Sequence, residues 1–349
     1  MRFVSTFAGV GGSDIGFELA GWECVGQVEI DKHCVKILDR HWPNVPKHDD
    51  IQTAREWADE RGLVGAVDVV VGGAPCQDLS IAGKRAGFEG HRSRLVLDMV
   101  DFAAHVGAEW IVYENVPGLL TSRKGDDLEA LLGALADAGY GHIEWRVLDS
   151  QHFGVAQRRR RVWLVARSSA VGGGEVLLER EGLRWHPPQV EGSWQAAAAS
   201  VAGGAGVGGR HIPVAGEVSG TFTQGAHPGG YNGQDAYNNL LVRVEPFTKA
   251  RRAMSADDYE TWDQRGVTPT LNSFDNATET RATVLAVECE SLRVRRLTPV
   301  ECERLQGFPD GWTEGVSNSQ RLKQMGNAIT VPVANYVACL INDFIEEQS

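Results

Sequence analysis

No two of the six cysteines in this 349-residue chain, at 24, 34, 76, 289, 302 and 339, stand in Cys-x-x-Cys spacing. That argues against a structural zinc site and suits a reducing compartment. Long apolar runs are missing too: none approaches the ~18 residues a membrane span needs. Met1 to Ser5 lacks the apolar core and cleavage site of a signal peptide. Net positive charge is also absent, the formal total being -12. A net value does not say where charges lie. Lys84-Arg85, Arg92, Arg94, Arg158 to Arg161, Lys249-Arg251-Arg252 and Arg293-Arg295-Arg296 are clustered. Such clusters either line one positive cleft on an acidic body or form solvated faces. What remains is the profile of a soluble globular protein, 42% apolar and 23% charged. The length suffices for a full core and a second, smaller unit.

The chain is organised around Gly72-Gly73-Ala74-Pro75-Cys76-Gln77. It follows Val67 to Val71, a β-branched run that reads as a buried parallel strand. Loops at the carboxyl ends of such strands are where open α/β sheets keep ligands, so Cys76 is presented at the sheet top. It reads either as a nucleophile or as a buried structural thiol. A second such edge begins the chain. Arg2 to Phe7 reads as a strand, and Phe7-Ala8-Gly9-Val10-Gly11-Gly12 breaks into a helix from Ser13 to Ala20, with Ser13 as N-cap. Glu29 ends the next strand, Cys24 to Val28, where an acid can take both hydroxyls of a ribose. The glycine spacing is not the Gly-x-Gly-x-x-Gly of nicotinamide or flavin proteins.

Lys32 to His41 has helical spacing, and Asp49-Asp50-Ile51 follows it. Arg94 to His105 is helical, and Trp110 to Tyr113 is the next strand, ending in Glu114-Asn115-Val116-Pro117. Glu114 therefore shares the sheet edge of Cys76, where it either acts or caps a loop. Asp126 to Ala138 reads as an amphipathic helix, Gly141 to Val147 and Val162 to Ala166 as strands. Between those two strands lies Gln157-Arg158-Arg159-Arg160-Arg161, a solvated face or a phosphate contact. From Ser168 the character changes. Residues 168–290 hold nine Lys/Arg against fifteen Asp/Glu, and Ala196 to Gly209 is an alanine/glycine tract that reads as a flexible loop. Short β-branched runs such as Leu240 to Val242 and Thr283 to Val287 suggest irregular β structure. Thr298 and Pro299 open a helix that ends before Gly307. Gln324 to Ile329 precedes a last helix, Val331 to Ile345.

Taken in order, the glycine turn, Pro75-Cys76-Gln77, Glu114-Asn115-Val116, Gln157 to Arg161, Arg296 to Pro299 and Gly326-Asn327-Ala328 resemble the cytosine-C5 DNA methyltransferase family. The resemblance covers roughly the first 168 residues and the last 55 or so. It implies a doubly wound, mostly parallel α/β sheet of the S-adenosylmethionine-dependent methyltransferase type, with an inserted, smaller, irregular β-rich recognition domain. The catalytic domain would be residues 1–168 and 319–349, the recognition domain 169–318. By resemblance Cys76 adds to C6 of cytosine and Glu114 holds N3 and the exocyclic amine. Arg159 and Arg161, picked out by Gln-x-Arg-x-Arg, lie by the base and its flanking phosphate. Phe7, Gly9, Val10, Gly11, Gly12, Glu29, Ile30, Asp50, Ile51, Pro75, Asn327 and Ala328 would bind S-adenosylmethionine. Ile30 would stack on adenine and Asp50 meet its amino group. Ser5-Thr6 stand where the family has Asp-Leu.

The implied activity is methylation of C5 of cytosine in a specific double-stranded DNA sequence, with the base flipped out of the duplex. The implied protein is a cytoplasmic, prokaryotic or phage-encoded monomer, with no metal and no membrane association, and a cognate restriction endonuclease is a candidate partner. Three other readings stand beside it. A tRNA cytosine methyltransferase shares the loop with a smaller insert, a catalytically silent relative would bind DNA alone, and a nicotinamide oxidoreductase would need the other glycine spacing.

Overall fold

The structure, a computed structural model, describes residues 1–74, 95–168, 175–177 and 297–348 in full. Between 244 and 296 it describes five strands by their backbone. Ala196 to Gly209 and Leu240 to Val242 lie outside the described residues. The chain divides into two compact units: residues 1–148, 160–185 and 328–349, and residues 149–159 and 186–327.

The first unit is built on a seven-stranded sheet ordered β3-β2-β1-β4-β5-β8-β6. Its strands are β1 (Arg2–Thr6), β2 (Glu23–Val28), β3 (Lys47–His48), β4 (Val69–Gly72), β5 (Trp110–Asn115), β6 (His142–Asp149) and β8 (Arg160–Arg167). β1 pairs in parallel with β2 and β4, β2 with β3, and β4 with β5, while β8 runs antiparallel to β5. Period-two alternation sends successive side chains to opposite faces. From β1, Val4 joins a core with Trp57 of α3 (Ala54–Arg61), Met99 and Phe102 of α4 (Leu95–Val106) and Leu131 of α5 (Asp126–Asp137). Phe3 points the other way, edge-on to Phe17 of α1 (Gly12–Leu19) at 5.4 Å. Trp110 of β5 meets Phe344 of the C-terminal helix (Val331–Gln348) on that same face. Helices thus cover both faces of the sheet, whose central strands β4 and β5 are buried along their whole length.

The two chain ends meet on the α1 face. A Cβ on Gly16 would stand 2.6 Å from Ala334 Cβ and 2.8 Å from the Val331 carbonyl and the Asn335 nitrogen. Asn335 Nδ2 donates to the Gly16 carbonyl (3.0 Å) and Asn342 Nδ2 to that of Ala20 (3.0 Å). By length and composition the segment Asn318–Gln348 is apolar enough to cross a membrane. Asn, Pro and Tyr interrupt the run, so it does not form a continuous apolar stretch. Val333, Ala334, Val337, Ala338 and Ile341 are nonetheless buried, so the core accounts for the apolar face.

One expected cap is corrected. Ser13 does not cap α1: Gly11 is the N-cap, left-handed at φ 85°, and the helix begins at Gly12. The Ser13 hydroxyl instead donates to Asp14 Oδ2 (3.2 Å). β5 also runs two residues past Tyr113, because β8 pairs with it through Glu114–Trp163 and Asn115–Val162.

In the second unit β9 (Val244–Arg251), β10 (Thr261–Gln264), β12 (Val284–Glu288) and β13 (Arg293–Arg296) form an antiparallel sheet ordered β10-β9-β12-β13. β7 (Gln157–Arg158) pairs in parallel with β11 (Thr268–Pro269). Thr298 caps the helix Pro299–Leu305 in a reciprocal box with Glu301. Fully buried Glu303 accepts from the Gly311 and Thr313 N–H groups (2.8 and 2.9 Å) and from Arg321 Nη2 (2.8 Å), tying this helix to the helix Asn318–Asn327.

Gly16→Val should lower stability by about 2 kcal/mol or more, since three atoms, two of them backbone, already occupy its Cβ cone. Thermal unfolding measures this; an unchanged midpoint would show that the crossing relaxes.

Candidate active site

β1 ends in a turn that changes hand. Phe7 has φ 51°, Gly9 φ 57° and Gly11 φ 85°. The Gly11 N–H donates to the Ala8 carbonyl (2.9 Å), and the Ala8 N–H to the Val28 carbonyl (3.2 Å), which ties the turn to β2. Glu29, just past β2, accepts from the Gly9 N–H through Oε2 and from the Asp31 N–H through Oε1, both at 2.7 Å. Its burial raises its pKa above the usual carboxylate range, against the pull of these N–H donors. Val10 and Gly12 are buried. Ile30, by contrast, is 72% exposed, an apolar side chain standing open beside the Glu29 carboxylate. Asp50 caps a short turn, accepting from the Gln52 N–H at 3.0 Å. Ile51 is buried in the α3–α4 core.

Beneath the turn lies a group the sequence reading passed over. Asp14 is fully buried and accepts from Ser5 Oγ (3.0 Å), Gln27 Nε2 (2.7 Å) and Cys24 Sγ (3.5 Å). Burial without an opposite charge raises its pKa, and burial beside Asp14 likewise raises the Cys24 thiol. This network knits β1, β2 and α1 together where the turn leaves the sheet. A buried-acid signal was legible: Ser5, Asp14 and Gln27 are polar at positions where the strand and helix patterns point inward.

The second edge is formed by β4 and β5. Gly72 lies against β1: a Cβ there would meet Thr6 Oγ1 at 2.2 Å and Met99 Sδ at 2.9 Å. A Cβ on Gly73 would stand 3.1 Å from Glu114 Oε2. The segment that leads to Pro75 and Cys76 therefore departs directly beside the Glu114 carboxylate; Pro75 and Cys76 themselves lie outside the described residues. Glu114 is 8% exposed and its Oε1 is 3.0 Å from Arg161 Nε. The β5–β8 register explains the pair, since Arg161 precedes Val162 and Val162 faces Asn115. Asn115 Oδ1 accepts from the Val116 N–H (2.7 Å), which fixes the chain just after the acid.

The two motif arginines have different environments. Arg161 belongs to the first unit and Arg159 to the second. Arg159 is 3% exposed; its Nη1 donates to the Gly326 carbonyl (3.2 Å) and its N–H to Asp149 Oδ1 (3.0 Å). Gln306 Nε2 donates to the neighbouring Met325 carbonyl (2.9 Å). Side chains thus satisfy carbonyls at the end of the helix that carries Asn327. Ala328, buried, opens the return to the first unit.

A mostly parallel sheet with a glycine turn after its first strand, an acid after its second, and a buried Glu–Arg pair at the end of β5 has the layout of an α/β enzyme. A sequence model of the C-5 cytosine-specific DNA methylase family matches residues 1–174 and 223–342. This chain belongs to that family. It is 29% identical over 340 residues to the Type II methyltransferase M.Eco47II of Escherichia coli, covering 93% of this chain and 75% of that protein. To the Type II methyltransferase M.HgiCII of Herpetosiphon aurantiacus it is 36% identical over 174 residues, 49% of this chain and only 38% of that protein. The fold resembles that of the Entamoeba histolytica methyltransferase EhMeth, with TM-score 0.62, 15% identity and 99% and 98% of the two chains covered.

Arg161→Ala should strand the Glu114 carboxylate in a buried setting and cost about 3 kcal/mol. Adding Glu114→Gln should restore most of that loss in urea unfolding. Equal, additive losses would show that the pair contributes little.

Proposed function

We propose that the protein methylates C5 of cytosine in a specific double-stranded DNA sequence, using S-adenosylmethionine and a covalent Cys76 adduct. The observation that carries this reading is the Glu114 carboxylate, held by Arg161 and lying beside Gly73, three residues before Cys76. The first edge fits the cofactor: left-handed Gly9 and Gly11 open the turn, Glu29 supplies a carboxylate, and Ile30 offers an exposed apolar face. The Gly9–Gly12 turn, Glu29, Ile30 and Asp50 would hold it, with Phe7, Ile51, Pro75, Asn327 and Ala328 around them. When bound, S-adenosylmethionine supplies an electrophilic methyl group.

C5 of cytosine is a poor nucleophile, so a covalent detour is needed. The Cys76 thiolate adds to C6, and Glu114 holds N3 as electron density shifts through the ring to C5. After C5 carries the methyl group, its proton leaves to a base and Cys76 is eliminated from C6. Arg161 orients the Glu114 carboxylate. Duplex cytosine is unreachable from the groove, so the base is flipped out at a few kcal/mol of unstacking. The division into a catalytic domain, 1–168 and 319–349, and an inserted recognition domain, 169–318, belongs to the same proposal, as do a monomeric state, an intracellular location and a partner endonuclease. The relatives' Type II names support that last element.

Cys76→Ala should abolish methylation while leaving cofactor binding intact, and duplex carrying 5-fluorocytosine should form a stable adduct with the unaltered protein. Turnover by the Cys76→Ala protein would sink the assignment. Bisulfite sequencing of DNA from expressing cells reads substrate and target together. Exchanging residues 169–318 with those of a relative should transfer the recognised site, and an active chimera that keeps the original site would place specificity elsewhere.

A further inference from the structure

The glycine turn has a neighbour that no motif marks. Trp42 follows α2 (Lys32–His41), and its ring lies against the turn: a Cβ on Gly11 would stand 2.4 Å from both Cη2 and Cζ3. The ring is anchored independently of that contact. Its Nε1 donates to Glu18 Oε1 (2.7 Å), in the last turn of α1. Its backbone N–H donates to the Leu38 carbonyl (2.8 Å), and its own carbonyl accepts from Lys47 Nζ (2.7 Å) and the Val45 N–H (3.2 Å). One buried side chain therefore touches both ends of α1, the left-handed cap at Gly11 and the acid at Glu18. Gly11 supplies no side-chain cap of its own, so the direction of the turn's N–H groups depends on what the turn leans on.

We propose that Trp42 is a positioning residue for the cofactor: its ring is the surface on which the Gly9–Gly12 turn is moulded, and it sets cofactor affinity without touching the reacting atoms. The inference rests on the reading of that turn as the S-adenosylmethionine site. A core tryptophan with no such role would change stability alone. Loss of an interaction made equally in the ground and transition states raises KM and leaves kcat at saturation intact. Residues in direct contact also couple in a double-mutant cycle.

The test is calorimetric binding of S-adenosylmethionine to the full chain, with steady-state methylation of duplex DNA. Trp42→Ala should weaken cofactor binding about 10-fold and keep kcat at saturating cofactor within about two-fold. Gly11→Ala, whose methyl group meets the ring, should weaken it by about the same factor. The pair Gly11→Ala/Trp42→Ala should bind more tightly than the product of the two single losses predicts, because the clash has lost its partner while the strain of a side chain at φ 85° remains. Fully multiplicative losses overturn the proposal, as does a kcat that falls in step with kcat/KM. Thermal unfolding reports whether each variant is folded. If Trp42→Ala is not, Gly11→Ala decides, and unchanged cofactor affinity there overturns the proposal. Unaltered protein that binds no S-adenosylmethionine overturns the cofactor reading itself, and this inference with it. Normal binding by the unaltered protein and by Trp42→Ala overturns this inference alone.

Discussion

The first and last helices cross where α1 has no side chain, and the rest of the first unit depends on that crossing. Gly16 admits Ala334, Val331 and Asn335 to within van der Waals distance of its α carbon's missing substituent, and Asn335 and Asn342 lock the approach by bonding α1 carbonyls. Two segments more than three hundred residues apart in sequence therefore lie on one face of the sheet. A chain whose ends close on each other in this way must carry its remaining residues as an excursion, and the second unit, built from 149–159 and 186–327, is such an excursion. The turn that follows β1 is held separately, by β2 through the Ala8–Val28 bond, by Glu29 through Gly9, and by α1, which it leads into.

Two buried acids near the sheet edges are stabilised by opposite means. Glu114 faces a guanidinium 3.0 Å away. Among the described residues Asp14 faces neutral donors, two hydroxyls, a carboxamide and a thiol, and its pKa is raised by burial. The folded protein therefore takes up a proton at Asp14 at higher pH than the unfolded chain does. Asp14 in its ionised form opposes folding, and that penalty fades as the pH falls through its raised folded-state pKa.

Much of this was legible before any coordinates. β1, β2, β4 and the helices Lys32–His41 and Asp126–Asp137 follow from periodicity and caps, and Thr298-Pro299 announced its helix with the residues a capping box uses. The misses share a cause. Ser13 looked like an N-cap because Ser favours that position, but the left-handed Gly11 took it and freed the hydroxyl for Asp14. The strand expected to end at Tyr113 runs on through Glu114 and Asn115, because β8 pairs with both. Trp42 carries no motif, since its role arises from which distant atoms it meets. Tertiary contacts decide such cases, and local spacing does not contain them.

The run Gln157 to Arg161 shows how spacing becomes chemistry. Four consecutive arginines suggest a solvated face, but the burial alternates with period two: Gln157 and Arg159 are buried and Arg161 half-buried, while Arg158 and Arg160 are exposed. Gln-x-Arg-x-Arg is the pleat of extended chain, one side turned inward. Of the inward pair, Arg161 bonds the acid on β5 and Arg159 bonds the carbonyl of Gly326, so neither is a loose surface charge. Arg158 lies 3.7 Å from Asp149 Oδ2 on the outer side. The charges that a sequence count assigns to one basic cluster are thus divided between internal scaffolding and the surface. A net charge of -12 is compatible with a nucleic-acid substrate for the same reason: what a phosphate meets is set by which side of the pleat each arginine occupies, and the total does not determine that.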